Sequence, residues 1–253
     1  MSALMDSITL LQFTPVQLAL TVLVFIWSGF VRSGLGFGGA ALGLPLMLLI
    51  DNQPLFWLPV IGLHLLFFTS LTLRNRLSNV DWPYLRHTFK WIFPGKIVGV
   101  LGLLNLPNQL LVIIIYGITL FYAILWMLQK SIRSKSGWTD KLILLIGGYV
   151  SGTSLTGAPL IVAVYAHHVS ASRLRDTLFV LWFILVTIKM GTFAAFSVDL
   201  HVLSSLMLIP VVWIGHVIGL RAHDFLIAND RRFKRILGGV LALICLLGFA
   251  QAL

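Results

Sequence analysis

The sequence predicts an all-α polytopic membrane protein made of two inverted repeats, each a glycine-broken helical hairpin, either re-entrant or spanning, followed by three transmembrane helices. Three observations predict it: the composition, an ordered internal similarity, and the placement of basic residues in loops. Of 253 residues, 58% are hydrophobic and only 10% charged, too little polar sequence to cover a soluble domain of this size. The formal charge of +10 does not mark a nucleic-acid binder, which needs a broad solvated basic face. Lipid bilayer is therefore the expected surrounding, nucleic acid is excluded as a partner, and a homo-oligomer is compatible with the pattern.

Residues Met1 to Pro15 carry Asp6 and no basic residue, so the positive n-region of a cleavable signal is missing and the first apolar run is expected to remain as an anchor. A helix needs about 20 apolar residues to cross the hydrocarbon core. Residues 54–74, 84–104, 107–129, 172–196, 199–221 and 233–252 qualify. Residues 14–50 and 141–169 are apolar but interrupted, the first by Arg32-Ser33-Gly34-Leu35-Gly36-Phe37-Gly38-Gly39 and the second by Ser151-Gly152-Thr153-Ser154-Leu155-Thr156-Gly157. The arms after the breaks, 36–50 and 155–169, are short for a crossing, and the arm 141–152 is shorter still. Cys245, the only cysteine, excludes internal disulfides and cysteine metal clusters and reads as a packed side chain.

Gly29, Ser33, Gly34, Gly39 and Ala40 align with Gly147, Ser151, Gly152, Gly157 and Ala158 at an offset of 118. Gly95 to Gly99 aligns with Gly215 to Gly219 at 120, and Asn108 and Gly117 with Asn229 and Gly238 at 121. Offsets that grow slowly and in order are the trace of a duplication with loop insertions. Residues 1–129 form the first repeat, 130–141 a linker and 142–253 the second repeat. Basic residues fill the loops 74–90, 130–141, 173–175 and 221–235, while 51–53, 104–108 and 197–201 hold no lysine or arginine. By the positive-inside rule the four basic loops, including the linker, are cytoplasmic and the termini periplasmic. Equivalent loops of the two halves then fall on opposite faces, as in inverted-repeat transporters whose substrate sites lie near the midplane.

The breaks carry the functional expectation. Irregular backbone at membrane depth must be buried in protein or line a watery cavity. The helix that follows each break presents N–H donors and the positive end of its dipole, which attract anions. Arg32, Ser33, Gly34, Gly36, Gly38 and Gly39 in the first half, and Ser151, Gly152, Thr153, Ser154, Thr156 and Gly157 in the second, are the expected anion-binding residues. Close helix packing is the competing reading of these glycines, and the preferred one for Gly95/Gly99 and Gly215/Gly219. If both arms of each hairpin span fully, Arg32 becomes a cytoplasmic topology charge.

Outside the basic loops only Arg32, Lys96 and Lys189 remain as cations, each costing about 2.5 kcal/mol or more at membrane depth. Lys96 and its counterpart His216 join the site as fixed charge and titratable partner; a snorkelling lysine and a carbonyl-bonded histidine are the bland alternatives, preferred for Lys189, His64 and His216. The chain has eight aspartates and no glutamate, and every aspartate lies at a segment end or loop. No buried carboxylate offers itself to a cation, which favours a small anionic substrate. No metal or cofactor is expected.

At the breaks, Gly29 to Gly39 with Pro45 following, and Gly148 to Pro159, the sequence resembles the sulfite exporter TauE/SafE family of membrane transporters, over nearly the whole chain including the duplicated layout. The resemblance implies a secondary transporter of sulfur-containing anions, sulfite or organosulfonates, in a bacterial inner membrane, exporting in some members and importing in others. Ala40 stands where family patterns often have a glycine, and Thr156 where the first half has Gly38. A passive anion channel satisfies the same pattern. An integral-membrane enzyme does not: HExxH, GxSxG and any carboxylate cluster are missing.

Overall fold

The computed structural model describes residues 9–35, 39–130, 136–228 and 230–252. Regular structure among them is helical: α1 (Pro15–Leu35), α2 (Gly39–Ile50), α3 (Pro54–Leu73), α4 (Trp82–Asn105), α5 (Asn108–Met127), α6 (Gly137–Ser154), α7 (Ala158–His168), α8 (Ala171–Ala195), α9 (Val202–Ala228) and α10 (Asp230–Ala252), with 3-10 turns at Thr9–Gln12 and Leu77–Asn79. Gly36, Gly38 and Asn229 lie outside the described residues. The helix starts have local causes. Asp81 Oδ1 accepts the Tyr84 N–H at 3.1 Å at the head of α4, and Ser136 Oγ accepts the Thr139 N–H at 3.3 Å at the head of α6, each satisfying a donor the helix cannot. Proline opens α3 and α7, where a missing N–H removes no helical bond.

Among the described residues, six helices are long and apolar enough to cross a membrane: α1, α3, α5, α8, α9 and α10. Helix α4 has the length, 24 residues, but Arg86, Lys90 and Lys96 keep it more polar. The chain is a multi-pass membrane protein. Helix extends into both of the breaks that the sequence predicts. Helix α1 continues through Arg32, Ser33 and Gly34, and α6 starts at Gly137 and continues through Ser151 to Ser154. At 1.5 Å per residue, the 21 residues of α1 reach roughly 31 Å, whereas the 12 of α2 and 11 of α7 reach only about 17–18 Å, short of a crossing. Each hairpin starts and ends at one level: Gln17 Nε2 donates to the Ile50 carbonyl at 3.1 Å, and His168 Nε2 lies 3.0 Å from Asp140 Oδ2.

The most extensive helix pairings are α1 with α9 and α4 with α6, followed by α5 with α10, and α3 also packs on α8. The first two are the same contact made twice. A Cβ on Gly95 would overlap the Leu145 carbonyl and one on Gly148 the Ile92 carbonyl; on the other side, Gly215 meets the Ile26 carbonyl and Gly29 the Val212 carbonyl. Gly99 abuts Tyr149 and Gly152 as Gly219 abuts Phe30 and Gly34. Backbones this close require glycine at the contact. The packing matches Gly29 with Gly148, one residue beyond the sequence alignment.

Candidate anion site between the hairpin tips

Where the two tips approach each other the structure holds a cavity of about 330 Å³, within the range of small-molecule sites, roughly 300–1,000 Å³. Of the residues the sequence nominates, Arg32, Ser33, Gly39, Ser151 and His216 line it. Arg32 and Ser33 sit in the last turn of α1, Gly39 and Ala40 open α2, Ala158 opens α7, and Ser151 and Leu155 close α6. Both short helices therefore turn their N-termini, the positive ends of their dipoles, towards the cavity.

Arg32 is the charged group at the inner end. Its Nη1 donates to the His64 carbonyl at 3.3 Å, its Cζ lies 4.1 Å from the centre of the Phe68 ring, and its Nη2 is buried without a hydrogen-bond partner. A guanidinium held by one carbonyl and one aromatic face keeps donors for a further acceptor. The Ser33 hydroxyl meets Nδ1 of His216. His216 also packs against Phe68 and Trp213, ring centres 5.3 and 5.6 Å away. Thr69, Thr72, Phe179 and Trp182 extend the wall.

The remaining nominated residues do other work. Gly34 packs against Gly219, Gly152 against the Lys96 carbonyl and Gly99, and Gly157 against the Gly147 carbonyl, so these three glycines bring helices together and do not line the cavity. Thr153 Oγ1 donates to the carbonyls of Tyr149 and Val150, 3.2 and 3.1 Å away. Ser154 Oγ donates to Val150 at 3.0 Å and pairs with Thr156 Oγ1 at 2.6 Å. All three hydroxyls are buried away from the cavity. Lys96 is fully buried, and its Nζ donates to the Ser151 carbonyl at 2.9 Å and to Ser151 Oγ at 3.2 Å. It thus reaches the cavity only through Ser151. The shift has one cause: the break in the second half falls at Leu155 to Gly157, so Ser151 to Ser154 form the C-terminal turn of α6. A helix C-terminus draws cations to its free carbonyls, and Lys96 supplies one.

Sequence reasoning missed the mouth of the cavity. Arg76, 57% exposed at its side chain, and Arg175 line it, although as loop charges they read only as topology signals. The cavity therefore opens on the face of the basic loops. Arg76 stands 3.8 Å from Asp176, which also accepts from Asn79 Nδ2 at 2.7 Å, and Thr177 Oγ1 accepts the Asp81 N–H at 2.9 Å, fixing the 74–81 loop to α8. Two readings from sequence match the geometry directly: His64 bonds the Ser205 carbonyl at 2.7 Å, and Cys245 is a buried packing residue.

A family model described as sulfite exporter TauE/SafE matches residues 21–247. Comparison with curated proteins and with solved structures finds no match.

Proposed function

The chain belongs to the sulfite exporter TauE/SafE family of membrane transporters, and on that premise we propose that it is a secondary transporter of small sulfur-containing anions, sulfite or an organosulfonate, working by alternating access across a bacterial inner membrane. The observation that carries the reading is the buried, unpartnered Nη2 of Arg32 beside a cavity also lined by Ser33, Ser151 and His216. An oxyanion there accepts charge-assisted hydrogen bonds from the guanidinium, hydroxyl bonds from the two serines, and the field of two helix N-termini. Arg76 and Arg175 at the mouth raise the local anion concentration. The repeated α1–α9 and α4–α6 contacts support an inverted-repeat mechanism, in which the cavity opens on the opposite face when the two halves exchange conformations.

Counterflow in proteoliposomes tests the proposal against a panel of sulfite, thiosulfate, sulfonates and carboxylates. Saturable exchange accelerated by unlabelled sulfite or sulfonate on the far side supports a carrier; linear flux without counterflow makes the protein a passive channel. For orientation, single cysteines at Ser136 and Leu253 in a Cys245→Ser background should label from opposite faces, and labelling from one face contradicts the inverted topology.

A further inference from the structure

Lys189 lies in the middle of α8, fully buried, and its Nζ donates to the carbonyls of Gly152 and Thr153 at 2.8 and 3.2 Å, 5.5 Å from the centre of the Phe193 ring. Lys96 takes the preceding carbonyl, Ser151, together with its hydroxyl. Two lysine side chains thus converge on three consecutive residues of one helix end. The C-terminus of α6 offers a partial charge of about half an electron, enough to favour one ammonium but not two. Of the other ionisable groups on the packed elements, Asp140, Asp176, His64 and Tyr165 are bonded elsewhere, and the buried Tyr122 hydroxyl on α5 has no hydrogen-bond partner. Asp140 on α6 is paired with His168, and Asp176 on α8 with Asn79 and Arg76; along their helices they stand roughly 16 and 20 Å from Ser151 and Lys189. His64 on α3 bonds the Ser205 carbonyl, and Tyr165 on α7 bonds Thr88 on α4. None of the ion pairs among the described residues includes either lysine. Each Nζ makes two hydrogen bonds to oxygen, which a neutral amine supplies as well as an ammonium does.

We propose that the Lys96–Lys189 pair is the proton-coupling site of the transporter: it holds one charge when the cavity is empty and takes up a second proton when an anion binds beside Ser151. The inference rests on the anion-site reading above. The bound anion offsets the second positive charge, so an amine becomes an ammonium with a proton drawn from cavity water. When the anion leaves on the other face the ammonium returns that proton to water there, and each anion travels with one proton.

Two measurements test it. In protein carrying 15N-labelled lysine, the two buried Nζ groups at neutral pH should give one amine and one ammonium, and Lys189→Gln, which keeps a donor for the Gly152 and Thr153 carbonyls, should leave Lys96 an ammonium. Two ammonium signals in the wild type overturn the proposal whether or not any anion binds. In weakly buffered proteoliposomes with an internal pH dye, methanesulfonate entry should carry about one proton per anion in the wild type and none in Lys189→Gln. Anion entry with no pH change in the wild type rejects the coupling site and leaves the anion reading standing. If methanesulfonate does not move at all, the transport reading is what suffers, and the lysine spectra alone decide the pair.

Discussion

At the tip of the first hairpin Ser33 meets His216, and Arg32 keeps one nitrogen free beside a cavity. At the tip of the second, Ser151 meets Lys96, and Lys189 takes the next two carbonyls. The backbones around both tips pack alike, glycine against carbonyl in the same register, yet the first tip places a cation beside a cavity and the second buries two behind a helix end. The contact that the two helix pairs share and the chemistry placed beside it are therefore separable. Glycines fix the helix contact, and side chains of other types decide what each copy does with it.

The largest expected effect lies in the scaffold. Gly148→Val and Gly215→Val each place carbons on a backbone carbonyl that cannot yield, a strain of about 3 kcal/mol or more, and thermal unfolding in detergent should show both proteins badly destabilised. Gly117 and Gly239 have open space where a Cβ would go, so alanine there should be neutral or stabilising by up to about 1 kcal/mol. Equal effects at all four positions would break the paired-contact account.

The next effect separates the two tips chemically. Arg32→Gln should weaken sulfite or sulfonate binding roughly ten- to a hundredfold, and Arg32→Lys, which keeps the charge but loses the planar fork, should fall between it and the wild type. Calorimetric titration of folded protein measures both, and three equal affinities would mean that the guanidinium does not touch the anion.

Much of this was legible in sequence, for physical reasons. Uninterrupted apolar runs have one solution in lipid, so 54–74 and 107–129 return as α3 and α5 almost residue for residue. The glycines of the paired helix contacts were readable because backbones that close tolerate no side chain. The break positions were not, because glycine and serine mark both a broken helix and a closely packed one, and only the neighbouring backbone distinguishes them: Gly152 faces the Lys96 carbonyl and stays helical. The fate of a hydroxyl is hidden in the same way. Thr153, Ser154 and Thr156 look like ligands in sequence, but the hydrogen bonds seen for their hydroxyls stay within their own turn. Arg76 and Arg175 were visible as charges, but sequence spacing says nothing of a cavity assembled from α3, α8 and α9.

The smallest effects follow from those hydroxyls. Ser33→Ala and Ser151→Ala should each cost roughly two- to tenfold in anion affinity, the usual worth of one hydrogen bond. Thr153→Ala and Thr156→Ala should change it little, since neither lines the cavity. A loss confined to the threonines would move the site into the second tip.

The most direct test of the site is to locate the anion. In crystals soaked in selenite, the heavier homologue of sulfite, anomalous difference density should peak about 4 Å from Arg32 Cζ, within hydrogen-bond reach of the guanidinium and the Ser33 hydroxyl. A peak at Ser154 and Thr156, or one beyond reach of Arg32 with saturable selenite binding retained, would contradict an anion held by that arginine between the hairpin tips.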